Sequence, residues 1–289
     1  MSTSLMPWLE PLVVQIATPY ATGTGFVLSA SGLIVTNEHV VRDNARVVIE
    51  GLAFERQQTD VIYLDEKLDL AFLMLPQPSC ELVSLLWANE MPDAGDAVLA
   101  CGHPFGYKFS ITRGIISSVE YELGALAYFQ HDAALNPGNS GGPLLSMDGR
   151  LLGINTFMVD GGQNIGIALP YSEIKKVAEA YKEIMPARVV KCVSCNQMLE
   201  ETTPRNRYCL HCGAKVKYIS DAPAYEAFGI SKKIEEVLIQ LGYDVAICRR
   251  GVNNWEISQG SAKVNIVYHE PSGFLIDDAT LCYLPNENM

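Results

Sequence analysis

The sequence is poor in positive charge and has no long uninterrupted apolar segment. Its 21 Lys and Arg residues stand against 33 Asp and Glu residues, a formal net charge of −12, so bulk attraction to nucleic acid or to an anionic membrane is not expected. Residues 11–37 carry no charge, but Pro, Gly, Ser and Thr interrupt them, which argues against a membrane span. Residues 1–8 contain neither a basic region nor an apolar core. We therefore expect no secretory signal there and a cytoplasmic location.

The composition is that of a globular protein, with 289 residues of which 48% are apolar and 19% charged, and the length suits two or three domains. Residues 1–185 carry 10 basic and 21 acidic side chains, whereas residues 186–221 carry 6 and 3. Only Tyr208 and Tyr218 add aromatic rings to this basic segment. A spacer or protein-docking module is therefore favoured there over a nucleic-acid site.

Short apolar runs separated by turn residues fill the region from residue 13 to residue 170, a pattern typical of antiparallel sheets that close into barrels or pack in pairs. The clearest runs are 26–28, 33–35, 47–49, 71–74, 98–100 and 151–154. Residues 172–185 then have a helical pattern, with Ser172 as the expected N-cap. This part of the chain is predicted to be mainly β.

A serine in a glycine-rich loop is the most informative feature, since residues 136–144 read NPGNSGGPL with Ser140 at the centre. The glycines let the backbone turn sharply and direct main-chain N–H groups at one point, which suits a nucleophile with an oxyanion intermediate. A hydroxyl nucleophile needs a base, and the base needs an orienting carboxylate. His39 and Asp69 lie upstream in the order used by chymotrypsin-like enzymes. His131 also lies near the loop, and we expect it to be solvated.

Several sequence blocks, in the same order, resemble the trypsin-like serine proteases of the HtrA (Deg) type across about residues 10–185. The blocks are 23–27 (GTGFV), 36–40 (TNEHV), 69–71 (DLA), 102–106 (GHPFG), 112–117 (TRGIIS), 132–143 (DAALNPGNSGGP) and 153–155 (GIN). The resemblance implies a chymotrypsin-like double six-stranded β-barrel with the active site between the barrels. It places His39 and Asp69 in the first barrel and Ser140 in the second, and it assigns the oxyanion hole to the N–H groups of Gly138 and Ser140.

The resemblance also locates a substrate pocket. The position six residues before Ser140 lies at the pocket base in trypsin-like folds, and here it is Ala134 rather than an acidic residue. With Leu135, Ile165 and Ile167 expected along the wall, the pocket should be small and apolar. Cleavage after small or medium aliphatic residues is therefore expected.

Two Cys-x-x-Cys pairs follow, and no segment looks like the PDZ domain that usually comes next in HtrA proteins. Four thiolates on two turns can face one metal ion, so the spacing predicts a zinc ribbon with a structural Zn²⁺ rather than disulfides. The expected ligands are Cys192, Cys195, Cys209 and Cys212.

The last segment changes pattern again and is predicted to be a small α+β domain. Residues 224–241 have helical spacing with Ile234, Val237, Leu238 and Leu241 on one face, and strand-like runs follow at 245–248, 255–257, 264–268 and 274–276. The pattern resembles the type III secretion chaperone-like fold of the YbjN group, in a form that ends early. The predicted domains are thus 1–187 (protease), 188–219 (zinc ribbon) and 220–289 (recognition of a protein partner).

Three functions stay open from the sequence. The first is a serine endopeptidase acting on protein or peptide substrates and targeted by its C-terminal modules. The second is a catalytically silent protease fold that serves as a partner-binding adaptor. The third is a peptidase whose oxyanion loop orders only when a partner docks. The sequence does not determine the oligomeric state.

Overall fold

The computed structural model describes residues 6–104, 109–124, 126–158, 165–201, 206–260 and 262–280. The chain forms two compact units, one of Met1–Ile16 and Thr22–Pro223 and one of Ala17–Ala21 and Ala224–Met289. Within the described ranges, no helix is both long and apolar enough to cross a membrane.

The first half of the larger unit is a six-stranded antiparallel barrel. After α1 (Met6–Leu9) and a 3-10 helix (Glu10–Leu12), its elements are β1 (Val13–Ala17), β2 (Thr22–Leu28), β3 (Leu33–Thr36), α2 (Glu38–Val41), β4 (Arg46–Gly51), β5 (Phe54–Asp65) and β6 (Leu70–Met74). The strand order is β5-β4-β1-β2-β3-β6, and pairing of β5 with β6 closes the barrel. Every residue of β1 and β3 is buried; β3 is apolar up to Thr36, whereas β1 buries the polar side chain of Gln15 among four apolar residues.

The second half is another six-stranded barrel. Its strands are β7 (Ala97–Gly102), β8 (Ser110–Leu123), β9 (Leu126–His131), β10 (Pro143–Ser146), β11 (Leu151–Met158) and β12 (Gly166–Pro170), closed in the order β10-β11-β12-β9-β8-β7. The prediction of a mainly β, chymotrypsin-like pair of six-stranded barrels is confirmed. Helix α3 (Tyr171–Lys182) follows β12 and buries Ile174, Val177 and Tyr181. Its N-cap is Pro170 rather than the predicted Ser172, because the extended Pro170 ends the strand and the helix begins at the next residue.

The cysteine-rich segment extends the sheet of the first barrel. Strand β13 (Val189–Lys191) pairs in parallel with β5 and antiparallel with β14 (Met198–Glu200). The segment thus belongs to the same compact unit as the barrels. The predicted boundaries at 188 and 219 stay predictions.

The smaller unit contains α4 (Gly229–Gln240), α5 (Val245–Cys248) and an antiparallel sheet of β15 (Arg249–Gly251), β16 (Asn254–Gln259), β17 (Ala262–His269) and β18 (Phe274–Thr280). Trp255 and Leu238 lie in its core, whereas Val237 and Leu241 are exposed, so the predicted apolar face of the helix is only half right. Residues 245–248 form a helical turn instead of a strand, because the Asp244 side chain caps the N–H of Ala246 at 2.9 Å. The likeness to the YbjN group stays a prediction.

Candidate active site

His39 and Asp69 meet at the end of the first barrel. His39 lies in α2, two residues after the N-cap Asn37, and Asp69 ends the turn that joins β5 to β6. The Oδ2 atom of Asp69 is 2.7 Å from Nδ1 of His39, and its Oδ1 atom accepts the main-chain N–H of His39 at 2.9 Å. Asn37 Nδ2 donates to the carbonyl oxygen of Asp69 at 2.8 Å. These contacts hold the imidazole with its Nδ1–H toward the carboxylate and leave Nε2 as the free base.

The loop that carries Ser140 packs directly against this end of the first barrel. Gly141 has a φ of +86°, which favours glycine. A Cβ at this position would lie 2.1 Å from the carbonyl oxygen of Thr24 and 2.3 Å from Oγ1 of Thr36. Only glycine fits so close to the strand that leads into α2. The close approach therefore brings the Ser140 loop to the end of β3 from which α2, with His39, begins.

Thr24 ties two carbonyl groups of the serine loop to β2. Its N–H donates to the carbonyl oxygen of Ser140 at 2.9 Å, and its hydroxyl donates to that of Gly138 at 2.6 Å. Among the described residues, no main-chain acceptor binds the N–H groups of Gly138 and Ser140, and Ser140 Oγ makes no hydrogen bond. The N–H groups of the predicted oxyanion hole and the Ser140 hydroxyl are thus not occupied by another described group of the chain. Neither the position nor the role of Thr24 could be inferred from the sequence beyond its place in the GTGFV block.

His131 is completely buried, so the expectation that it is solvated is wrong. Burial lowers the pKa of His131 to about 4, so the imidazole is neutral at physiological pH. Its Nε2 lies 3.1 Å from Oδ1 of Asn155. The main chain of Asn155 accepts from the N–H of Gly141 at 2.8 Å and donates to the carbonyl oxygen of Gly142 at 2.9 Å. Asn155, to which no role was assigned from sequence, therefore holds the loop from the side of the second barrel.

The predicted pocket residues have different environments. Ala134 is exposed, and its carbonyl oxygen accepts from the Thr112 hydroxyl at 2.8 Å. Leu135 and Ile165 are half-buried, whereas Ile167 lies in the barrel core with no exposed surface. The pocket stays a prediction, but Ile167 does not line it, because its side chain is enclosed in the barrel core and offers no surface to a ligand.

The four predicted metal ligands lie together. Sγ of Cys192 is 3.6 Å from Sγ of Cys212, Sγ of Cys195 is 3.6 Å from Sγ of Cys209, and all four sulfur atoms lie within 4.8 Å of one another. A tetrahedral zinc with bonds of about 2.3 Å would separate the sulfur atoms by about 3.8 Å. The set therefore has the chemistry and the size of a zinc site.

The backbone around the cluster shapes it for metal binding. Each Cys-x-x-Cys turn ends in a residue of positive φ, Asn196 at 63° and Gly213 at 75°. Hydrogen bonds from the N–H groups of Cys195 and Ser194 lower the pKa of Cys192 to about 6, which favours the thiolate that binds a metal.

Comparison with known proteins agrees with this geometry. Residues 23–154, which contain His39, Asp69 and Ser140, match the family model of the trypsin-like peptidase domain. Serine protease HTRA4 of Mus musculus is 40% identical over 173 residues, which are 57% of this chain and 35% of that protein. Residues 23–154 are thus similar to trypsin-like peptidase domains, and the wider similarity is to serine proteases of the HtrA type.

Other relatives also match only part of their own length and part of this chain. Serine protease HTRA1A of Danio rerio is 40% identical over 179 residues, 58% of this chain and 36% of that protein. The chain thus spans about a third of the length of these curated relatives. Among solved structures, the HtrA-type protease AlgW, determined with a tripeptide, has 30% identity and a TM-score of 0.57 over 62% of each chain. The cysteine cluster lies outside the residues that match the family.

Proposed function

We propose that the chain is a serine endopeptidase in which Ser140 is the nucleophile, His39 the general base and Asp69 the carboxylate that orients the base. The pair of hydrogen bonds from His39 to the two oxygens of Asp69, at 2.7 and 2.9 Å, carries the proposal. The attachment of the Ser140 loop to Thr24 supports it, and so does the similarity to HtrA proteases. The silent-adaptor function is not favoured, since all three groups are present and His39 and Asp69 are hydrogen-bonded to each other.

The chemistry follows from these positions. Ser140 Oγ attacks the carbonyl carbon of the peptide bond while its proton passes to His39 Nε2, and the Asp69 carboxylate stabilises the imidazolium. The N–H groups of Gly138 and Ser140 bind the oxyanion, each such donor being worth about 3–4 kcal/mol in the transition state. His39 then returns the proton to the leaving amine. Water, deprotonated by His39, hydrolyses the acyl-enzyme, and the acid product leaves with Ser140 restored.

The substrates that we propose have a small or medium aliphatic residue before the cleaved bond. Ala134 supports this proposal, because it is a small exposed residue where a charged one would select a charged side chain. Such a pocket discriminates by only about 1–3 kcal/mol per methylene.

Labelling with a fluorophosphonate tests the proposed activity. Because the reagent needs an activated serine, we expect one label per folded chain, located at Ser140 by peptide mass spectrometry, and none on denatured protein. The matched control Ser84→Ala removes an exposed hydroxyl that contacts Ser29 at 3.1 Å and should label like the parent protein. A folded protein that takes up no label, or takes it up at another residue, contradicts the proposed function.

We also propose a structural Zn²⁺ held by Cys192, Cys195, Cys209 and Cys212. The spacing of the sulfur atoms supports this assignment. The ion would join two turns that are each closed by main-chain hydrogen bonds, among them Cys192 N–H to Gln197 O and Cys209 N–H to Ala214 O. It would contribute to folding rather than to the reaction.

Metal removal tests this site. We expect one zinc per purified chain and, after strong chelation, rapid cleavage within residues 189–217 by an added protease while the barrels stay resistant. Cys209→Ser should lose the metal, whereas Cys80→Ser, which changes an exposed cysteine outside the cluster, should keep it. Zinc loss without any change in local cleavage would show that the ion does not hold this segment together.

For the smaller unit we propose a role in binding a protein partner that targets the peptidase. Exposed apolar side chains on β18, namely Phe274, Leu275 and Ile276, support this proposal. A cytoplasmic location, expected from the sequence, stays a prediction.

A further inference from the structure

Asp65 shapes the turn that delivers Asp69 to His39. It is the last residue of β5 and is 1% exposed. Its Oδ1 atom accepts the N–H groups of Lys67 and Leu68, both at 3.1 Å. These two bonds fold the chain over the three residues before Asp69. The direction of the Asp69 side chain therefore depends on the position and charge of the Asp65 carboxylate.

The positive charge that balances Asp65 comes from the cysteine-rich segment. Lys191 Nζ lies 2.8 Å from Oδ2 of Asp65, and the Lys191 side chain is only 19% exposed. A buried carboxylate is stable only when it is paired and hydrogen-bonded. The phenol of Tyr63 donates a hydrogen bond to Asp65 at 3.3 Å, but a phenol has no cationic form and cannot balance the carboxylate.

The backbone places Lys191 at this point. Val189 and Val190 of β13 pair in parallel with Tyr63 and Leu64 of β5. The residues that follow these pairs are Lys191 on β13 and Asp65 on β5. Lys191 immediately precedes the expected metal ligand Cys192, and it lies outside the residues that match the trypsin-like family.

A second contact joins the same two segments. Lys67 Nζ donates to Asn196 Oδ1 at 2.9 Å, where Asn196 ends the first Cys-x-x-Cys turn. A cleft of about 450 Å³ borders the junction and is lined by Lys67, Leu68, Lys191, Asn196 and Glu173, together with residues of the β8–β9 hairpin. The polar contacts of Lys67 and Lys191 lie along this cleft, whereas Leu68 of the same turn packs into the core.

We propose that Lys191 is a positioning residue for the triad, because by neutralising Asp65 it holds the turn that aims Asp69 at His39. The cysteine-rich segment is then part of the active-site scaffold rather than a separate module. This inference rests on the proposed peptidase function.

The test compares Lys191→Met, Lys191→Arg and Lys176→Met with the parent protein. Lys191→Met removes the charge at similar length, Lys191→Arg keeps the charge, and the control Lys176→Met breaks an exposed ion pair with Glu173 on α3. We expect Lys191→Met to lower kcat on the order of 10- to 100-fold with little change in KM, since small displacements of catalytic groups have effects of this size. We expect kcat of Lys191→Arg and of Lys176→Met to stay within about threefold of the parent value. The first variant keeps the charge, and the second changes an exposed residue.

Three readouts separate positioning from loss of structure. Fluorophosphonate titration counts competent sites, so kcat is expressed per active site, and zinc content is measured for each variant. The proton between His39 Nδ1 and Asp69 Oδ2 gives a far-downfield ¹H NMR signal, which should shift or broaden in Lys191→Met only. If Lys191→Met does not fold, Lys191→Gln, which keeps an N–H donor, takes its place. Its loss of kcat should lie between the losses expected for the Arg and Met variants.

An unchanged kcat per active site together with an unchanged His39 signal would overturn the inference. The inference would also be overturned if the activity of Lys191→Met fell only in proportion to the number of sites that fluorophosphonate labels. Failure of the proposed function looks different, because then the parent protein itself takes up no label at Ser140.

Discussion

Replacing Ser140 by alanine is expected to lower kcat about a million-fold, the size of effect found when a triad nucleophile is removed. The hydroxyl makes no hydrogen bond among the described residues, whereas the carbonyl oxygen of Ser140 is held by Thr24. The loop should therefore keep its shape and the free energy of unfolding should change by no more than about 0.5 kcal/mol. Steady-state cleavage of a peptide substrate and thermal unfolding measure the two quantities.

Ser84→Ala is the matched control for Ser140→Ala, since it removes an exposed hydroxyl and should leave kcat unchanged. Residual turnover in Ser140→Ala within about tenfold of the parent protein would exclude Ser140 as the nucleophile. A large loss of stability would show that the hydroxyl supports the loop rather than the reaction.

Replacing Asp69 by asparagine is expected to lower kcat about 10,000-fold through the tautomer of His39. Oδ1 of Asp69 faces the main-chain N–H of His39, which can only donate, so the amide oxygen of the asparagine must take that place. The amide N–H₂ then faces Nδ1 of His39, which must become the acceptor. The ring proton moves to Nε2, and Nε2 can no longer accept the proton of Ser140.

The backbone should tolerate this change. Asp69 has a φ of 50°, a conformation that asparagine adopts as readily as aspartate. The matched control is Asp148→Asn, which changes an exposed carboxylate paired with Arg150 at 2.9 Å and should leave kcat within about twofold. Measurement of kcat and of the ¹⁵N shifts of His39 reports the tautomer directly. A variant with the normal tautomer and normal kcat would mean that Asp69 does not orient the base.

The strands of the barrels were predictable because their buried residues follow one another in short, mostly apolar runs. All of Leu33–Thr36 is buried, and the sequence there is a short apolar run bounded by turn residues. The prediction was wrong at 245–248, where an equally apolar run is helical because a single side chain, Asp244, caps it. A local cap of this kind outweighs the β propensity of four residues.

The sequence by itself determined which groups we propose to react and which four cysteines lie together. His39, Asp69 and Ser140 stand in short motifs whose chemistry needs those residue types. The spacing within the two Cys-x-x-Cys pairs is itself typical of a metal site. What only the tertiary structure decided is how these groups are held. Thr24 reaches Gly138 across 114 residues, and Lys191 reaches the carboxylate of Asp65 from another segment. Such contacts depend on strand register and barrel closure, which bring distant residues together and leave no periodic pattern in the sequence.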